Sequence, residues 1–271
     1  MKDNRITYKF EVLIRPGLKL SSQACAVLQS QLRSVAATCF DEIPDYQCLA
    51  RSPKTLDDKV IAIARRSDGA MAGFCSGILI AVPGVGEVFH TGLTCVRPED
   101  RGTGMTHQLT SRGLLRYVFS GNPVRRQWIT NVACVLSSLG NVALFMDEVY
   151  PSPIGPVEPS SSHSAIAAYL DSNYRNDLYI RPEAHFDPRR FVFEGSVADT
   201  VFQKDATDKR FRHRNEAIND YYESLMNFGH GDEVLQIGYV TLLTAVRHKL
   251  RGQVKVPAMT APQPMIPTLQ N

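Results

Sequence analysis

The chain has 271 residues, 30 Lys and Arg against 27 Asp and Glu, and a net charge of +3. That length suits one large core with an addition, and the near balance of charge excludes a field that would draw the molecule to nucleic acid or an anionic membrane. The six cysteines form no C-x-x-C pair, which excludes a zinc ribbon or a thioredoxin-like motif and leaves free thiols.

Residues 6–15 alternate, with Ile6, Tyr8, Phe10, Val12 and Ile14 on one face, which predicts a strand ended by Pro16-Gly17. No export signal is read in the Met1 to Arg5 start and no apolar run is long enough to span a bilayer, so a soluble, cytoplasmic protein is expected. Helical spacing over 21–40 (Ala24, Val27, Leu28, Leu32, Val35, Ala36, Cys39) predicts an amphipathic helix with Ser21 or Ser22 as cap. The polar connection over 41–58 is either a surface loop or the lining of a substrate entrance.

Strands are predicted over 59–66, 72–82 and 87–96, joined by the turns Ser67-Asp68-Gly69 and Pro83-Gly84-Val85-Gly86, so that they form an antiparallel meander. Arg97-Pro98-Glu99-Asp100-Arg101-Gly102-Thr103-Gly104-Met105 follows, and a helix over 106–119. Glycines ahead of a helix start let its unpaired amides and positive dipole end approach an anion, and Arg101 adds a cation. A plain tight turn is the alternative. No G-K-[S/T] closes the loop, which removes a nucleoside-triphosphate P-loop, and His107 stands where a third dinucleotide-binding glycine would be needed. Another strand is expected over 128–135, and a short helix over 138–147 before a proline-rich break.

Val96, Pro98, Arg101, Gly102, Gly104 and Met105 match the V-x-P-x-x-R-G-x-G-[I/M] pattern that follows the fourth strand in the GNAT (N-acetyltransferase) superfamily, and the order of elements over 6–150 resembles that family. The resemblance implies an α/β (α+β) fold, a mixed and mainly antiparallel sheet flanked by helices. It also implies acetyl-CoA or another acyl-CoA as donor, with its pyrophosphate on Arg101, Gly102, Thr103, Gly104, Met105 and Thr106. The pantetheine arm would pair with Thr94, Cys95 and Val96, and Ser137 or Ser138 would replace the Asn that commonly opens the next helix. Thr106 stands where the family has Gly or Ala, and Phe145 falls near its acidic Tyr.

Acyl transfer to an amine needs a neutral amine and a proton for the departing thiolate. His90 and Glu87, the ionisable side chains of the fourth strand, are the candidate bases, and Tyr150 the candidate acid, with Tyr46 in the entrance loop beside it. Each also reads as an ordinary structural residue. His163, His185, Asp187 and His213 lack metal-ligand spacing, and no metal is expected.

Farther on, a helix is read over 164–173, strands over 178–180 and 191–197, a basic run over 204–214, and helices over 217–228 and 232–250. The division expected is a GNAT-like domain over 1–200, a helical extension over 201–252 and a flexible tail over 253–271. The last helix needs a cover, either the same core or a second copy of the chain in a homodimer. The resulting expectation is an N-acyltransferase acting on a small-molecule amine. A synthase drawing on a carrier-protein or long-chain donor, and a binding or scaffolding protein without catalysis, stay open.

Overall fold

The computed structural model describes residues 7–52, 54–121, 125–205 and 207–244. The stretch before residue 7 and the tail expected over 253–271 lie outside them. Strand β1 (Lys9–Ile14) leads into helix α1 (Ser22–Ala36), whose cap is Ser21: its side chain accepts from the Ala24 N–H at 3.2 Å. The meander then runs through β2 (Lys59–Arg65), β3 (Met71–Val82) and β4 (Gly86–Val96), antiparallel throughout and flanked by β1.

Beyond β4 come α2 (Met105–Ser120), β5 (Gln127–Ala133), α3 (Leu136–Phe145), β6 (Asp147–Tyr150) and α4 (Ser161–Asn173). They are followed by β7 (His185–Asp187), β8 (Val192–Glu194), α5 (Glu216–Leu225) and β9 (Glu233–Val240). The sheet order is β1-β2-β3-β4-β5-β9-β8-β7, with β6 also on β9, and among the described residues its one parallel contact is β4 with β5. The expected fold class, a mixed and mainly antiparallel sheet flanked by helices, is present.

Alternation along the strands divides the core between two faces. On one face α1 sets Leu28 and Leu32 against Ile61, Ile63 and Phe74, and farther along α4 sets Ile166 and Leu170 against Ile78, Val88 and Ile237. On the other, α2 sets Leu114, Tyr117 and Val118 against Leu79, Phe89 and Ile129. The C-terminal end of α3 joins that second cluster through Val142 and Phe145.

The reading of 232–250 as one helix is overturned over 233–240, while 242–244 are helical. Residues 233–240 form β9, buried at every position and paired with β5 along its length, while residues beyond 244 lie outside the described ones. A strand covered on both faces shows a continuous apolar run, which periodicity alone does not separate from a buried helix. The part after residue 200 is therefore not a helical extension: it contributes α5 and an interior strand to the same sheet. Residues 178–180 form turns rather than a strand, and the strand expected over 191–197 shortens to β8. Two arginines of the basic run are paired locally, Arg210 with Asp208 and Arg212 with Glu216 and Glu223.

Candidate functional site

β4 delivers the chain at Val96 into a single 3-10 turn over Pro98–Asp100 and then the glycine turn that starts α2. Asp100 pins the segment. It is fully buried, and it takes the Arg66 guanidinium on both oxygens and the Tyr8 hydroxyl at 2.8 Å. Burial alone would push this carboxyl up, but hydrogen bonds from Arg66 and Tyr8 hold it below its ordinary value. Arg97 donates to Met71 O at 2.9 Å and to Ser34 Oγ at 3.0 Å, and the Thr103 hydroxyl to Asp100 O at 2.8 Å.

Gly102 and Gly104 have φ of +78° and +73°, the left-handed region where a side chain is strained, and the space a Cβ would enter is open. The Arg101 N–H goes to Pro98 O, and backbone pairing resumes with the Gln108 N–H on Gly104 O. Among the described residues, no protein acceptor stands on the amides of Gly102, Thr103, Gly104, Met105 and Thr106 between them. Met105 is buried and fixes the helix start against the sheet, whereas Arg101, Gly102, Thr103, Gly104 and Thr106 are exposed. With the dipole of α2 behind them, these amides form an anion cradle.

β4 and β5 pair only where Val88, Phe89 and His90 face Trp128, Ile129 and Thr130, and then diverge. At the crotch Thr91 Oγ1 lies 2.8 Å from Asn131 Oδ1 and 3.1 Å from Thr130 O. Asn131 donates to Gln236 Oε1 at 3.1 Å, and Gln236 donates to Leu139 O at 3.1 Å and to the Tyr222 hydroxyl at 2.7 Å. This buried polar chain ties the fork to α3 and α5.

The Arg97 N–H donates to Ala72 O, so ladder alternation ties Cys95 to β3 and turns the backbone groups of Thr94 and Val96 toward the gap. Thr94 and Val96 thus line the opening with their main chain, while the Cys95 side chain is buried beside α1. Ser138 does not open α3, which starts at Leu136; it stands in the first turn, half-buried, with its N–H given to Val135 O at 3.0 Å.

The three catalytic expectations are all corrected, each for its own reason. His90 is buried, its Nδ1 is 2.9 Å from Thr130 Oγ1, and burial drives its pKa down to about 3, so it is neutral and shielded from an incoming amine. It is corrected to a packing residue. Glu87 lies at the opposite end of β4 from the glycine turn, where it pairs with Arg15 at 2.5 Å, and is corrected to a surface ion pair. Tyr150 belongs to β6 on the outer edge of β9, and its hydroxyl donates to Arg189 O at 2.5 Å, which corrects it to a core residue. His163 completes the cap of α4, and among the described residues no group of three His, Cys, Asp or Glu side chains could hold a metal.

A polar cluster that sequence reasoning missed lies on the α1 side of the fork. Glu233 opens β9 next to Val234, the partner of Ala133 at the end of β5. It is buried, accepts from Ser196 Oγ at 2.7 Å, has no basic partner among the described residues, and burial raises its pKa to about 7. Tyr46 senses its charge, and burial keeps the Tyr46 hydroxyl protonated. Tyr46 packs edge-on against Tyr179 and Phe202, both at 5.6 Å. Gln47, buried with φ +53°, lies against Gly92 so closely that a Cβ there would stand 2.5 Å from its amide. Of these only Tyr46 carried a signal in the sequence. Glu233 beside Asp232 looks like the acidic first turn of a helix.

No family model and no curated protein matches the chain. Solved structures similar to parts of it include a GNAT-family N-acetyltransferase (YhbS) from Escherichia coli in complex with CoA, with TM-score 0.35 and 16% identity over 49% of this chain and 66% of that one. An acyl-CoA N-acyltransferase from Pseudomonas aeruginosa aligns with TM-score 0.38 and 21% identity over 53% of this chain and 91% of that one. Escherichia coli ElaA aligns with TM-score 0.37 and 19% identity over 53% and 92%.

Proposed function

We propose that this chain is an acyl-CoA-dependent N-acyltransferase that passes an acyl group directly to a small-molecule amine. The observation that carries the reading is the row of amides from Gly102 to Thr106, aimed outward at the end of a strand that parts from its neighbour. A diphosphate fits the amides, and the gap offers the main chain of Thr94 and the Val96 N–H to an amide-bearing arm, the Val96 carbonyl being taken by Arg101 Nε at 3.1 Å.

In this reading the amine approaches from the α1 side of the fork. Glu233, with a pKa near 7, takes the proton of the ammonium, and the amine nitrogen attacks the thioester carbonyl. The nitrogen of the tetrahedral adduct carries one proton more than the amide needs, and as the C–S bond breaks that proton passes to the departing thiolate, giving amide and free thiol, while Glu233 returns its proton to solvent. A base that titrates near working pH is better matched to this task than His90, which takes up a second proton only near pH 3.

Calorimetric titration with acetyl-CoA tests donor binding, and Gly104→Val should weaken it at least about tenfold, because the branched side chain is strained at the helix start. No heat at millimolar acetyl-CoA sinks the reading. Turnover is followed as thiol release across an amine panel. A binding protein without catalysis is the second reading, favoured by the mutual packing of Tyr46, Tyr179 and Phe202 on the acceptor side. Tight acetyl-CoA binding with no release for any amine selects it.

A further inference from the structure

A second opening lies at the far end of α2. A cavity of about 440 Å³ is enclosed by the end of β1, the turn after it, the start of β4 and the last turn of α2, a size that suits a small ligand. The 16 residues of α2, at about 1.5 Å each, put it roughly 24 Å from the glycine turn. Val12, Ile14 and Leu79 line it with apolar surface, and Arg15, Lys19 and Arg116 supply three cations against the single carboxylate of Glu87.

Two residues of the lining are held in unusual states. Tyr117 is buried and stacked on Phe89 at 5.1 Å, and its hydroxyl has no hydrogen-bond partner among the described residues. A buried hydroxyl left so costs stability, and burial keeps this one protonated, a donor in want of an acceptor. The charges it feels are those of Glu87 and Arg15, which pair with each other at 2.5 Å in the cavity lining. Arg15 has a φ of +51°, the left-handed region that a side chain enters only at a cost, and its N–H is tied to Lys59 O at 2.7 Å.

We propose that this cavity is a second ligand site, which takes a small amphipathic carboxylate: its charge on Arg15 and the Tyr117 hydroxyl, its apolar body on Val12, Ile14 and Leu79. The ligand displaces Glu87 from Arg15, a half-exposed pair worth little in water, and in doing so reaches the hydroxyl that is otherwise closed off. The incoming oxygen gives the phenol its missing bond, and Lys19 and Arg116 keep the space positive. One negative charge matches better than two, because Glu87 and the carbonyl end of the α2 dipole also face the space. A phosphate monoester is thereby disfavoured, and an alcohol with the same body lacks the charge for Arg15.

Octanoate is titrated calorimetrically into the full chain, with and without acetyl-CoA, beside octanol and octyl phosphate. Octanoate is expected to bind in both series, at least about tenfold more tightly than either comparator. Tyr117→Phe should weaken octanoate about tenfold yet melt no lower than the parent, since the hydroxyl it removes has no partner among the described residues. Glu87→Gln, which frees Arg15, should bind octanoate several-fold more tightly. In a crystal soaked with octanoate the carboxylate is expected on Arg15 and Tyr117. No heat with octanoate, equal binding of octanol, tighter binding of octyl phosphate, displacement by acetyl-CoA, an unchanged affinity in Tyr117→Phe, or a carboxylate seated elsewhere each overturns the proposal. Failure of acetyl-CoA to bind bears on the acyl-transfer reading alone.

Discussion

Glu233 is a carboxyl with no basic partner among the described residues, held by one hydroxyl and raised from 4.5 to about 7 by burial. Because the folded state holds that proton more tightly than the unfolded chain, the stability it confers is complete below pH 4.5 and fades as pH rises through about 7. At about 1.4 kcal/mol per pH unit, the loss amounts to roughly 3 kcal/mol. Glu233→Gln should therefore melt at a higher temperature than the parent at pH 8 and close to it at pH 4, as scanning calorimetry will show. Its acyl transfer should lose the rise with pH near 7; an unchanged profile in an active variant removes Glu233 as the base. His90→Asn should leave that profile in place, because His90 does not titrate in the range.

Among the elements, the glycine turn was the most legible. Its residues demanded a left-handed backbone and an uncovered helix start, and both are local properties that Gly102 and Gly104 announce by themselves. What holds the turn was not legible, since Asp100, Arg66 and Tyr8 come from three separate parts of the chain and meet only after folding. Asp100→Ala takes the Tyr8 phenol's acceptor away and leaves the Arg66 guanidinium to Glu99 alone, and should cost about 2 kcal/mol in chemical denaturation, with weaker acetyl-CoA binding. The fork was hidden for the same reason. Thr91, Asn131 and Gln236 look like ordinary strand polar residues until the sheet juxtaposes them, and Gln236→Leu, which removes the acceptor of the Asn131 amide and leaves the Tyr222 hydroxyl only Pro151 O, should cost about 1 to 3 kcal/mol. His90 and Glu87 were misjudged because a strand pattern gives neither the depth of a side chain nor the end of the sheet on which it lies.

Over the whole molecule, the first half of the chain builds β1 to β4 as a local meander, while β5 gains most of its pairing from β9, about a hundred residues later. Here the sequence misled, because Val234, Leu235, Ile237 and Val240 suit an interior strand and a buried helix equally, and only the bare edge of β5 decides between them. A chain ended after Gly231 should lose its cooperative melt rather than shed a separable domain, as circular dichroism on heating will show. Retention of the full transition would mean that β9 is dispensable.

That late pairing bears on how the molecule is made. As the chain leaves the ribosome, β5 emerges with one edge hardly bonded and the other bare, and it waits for more than a hundred further residues before its partner appears. A nascent sheet with such an open seam invites pairing with neighbouring chains, so yield in cells should depend on chaperones that shield the seam until the closing strand arrives.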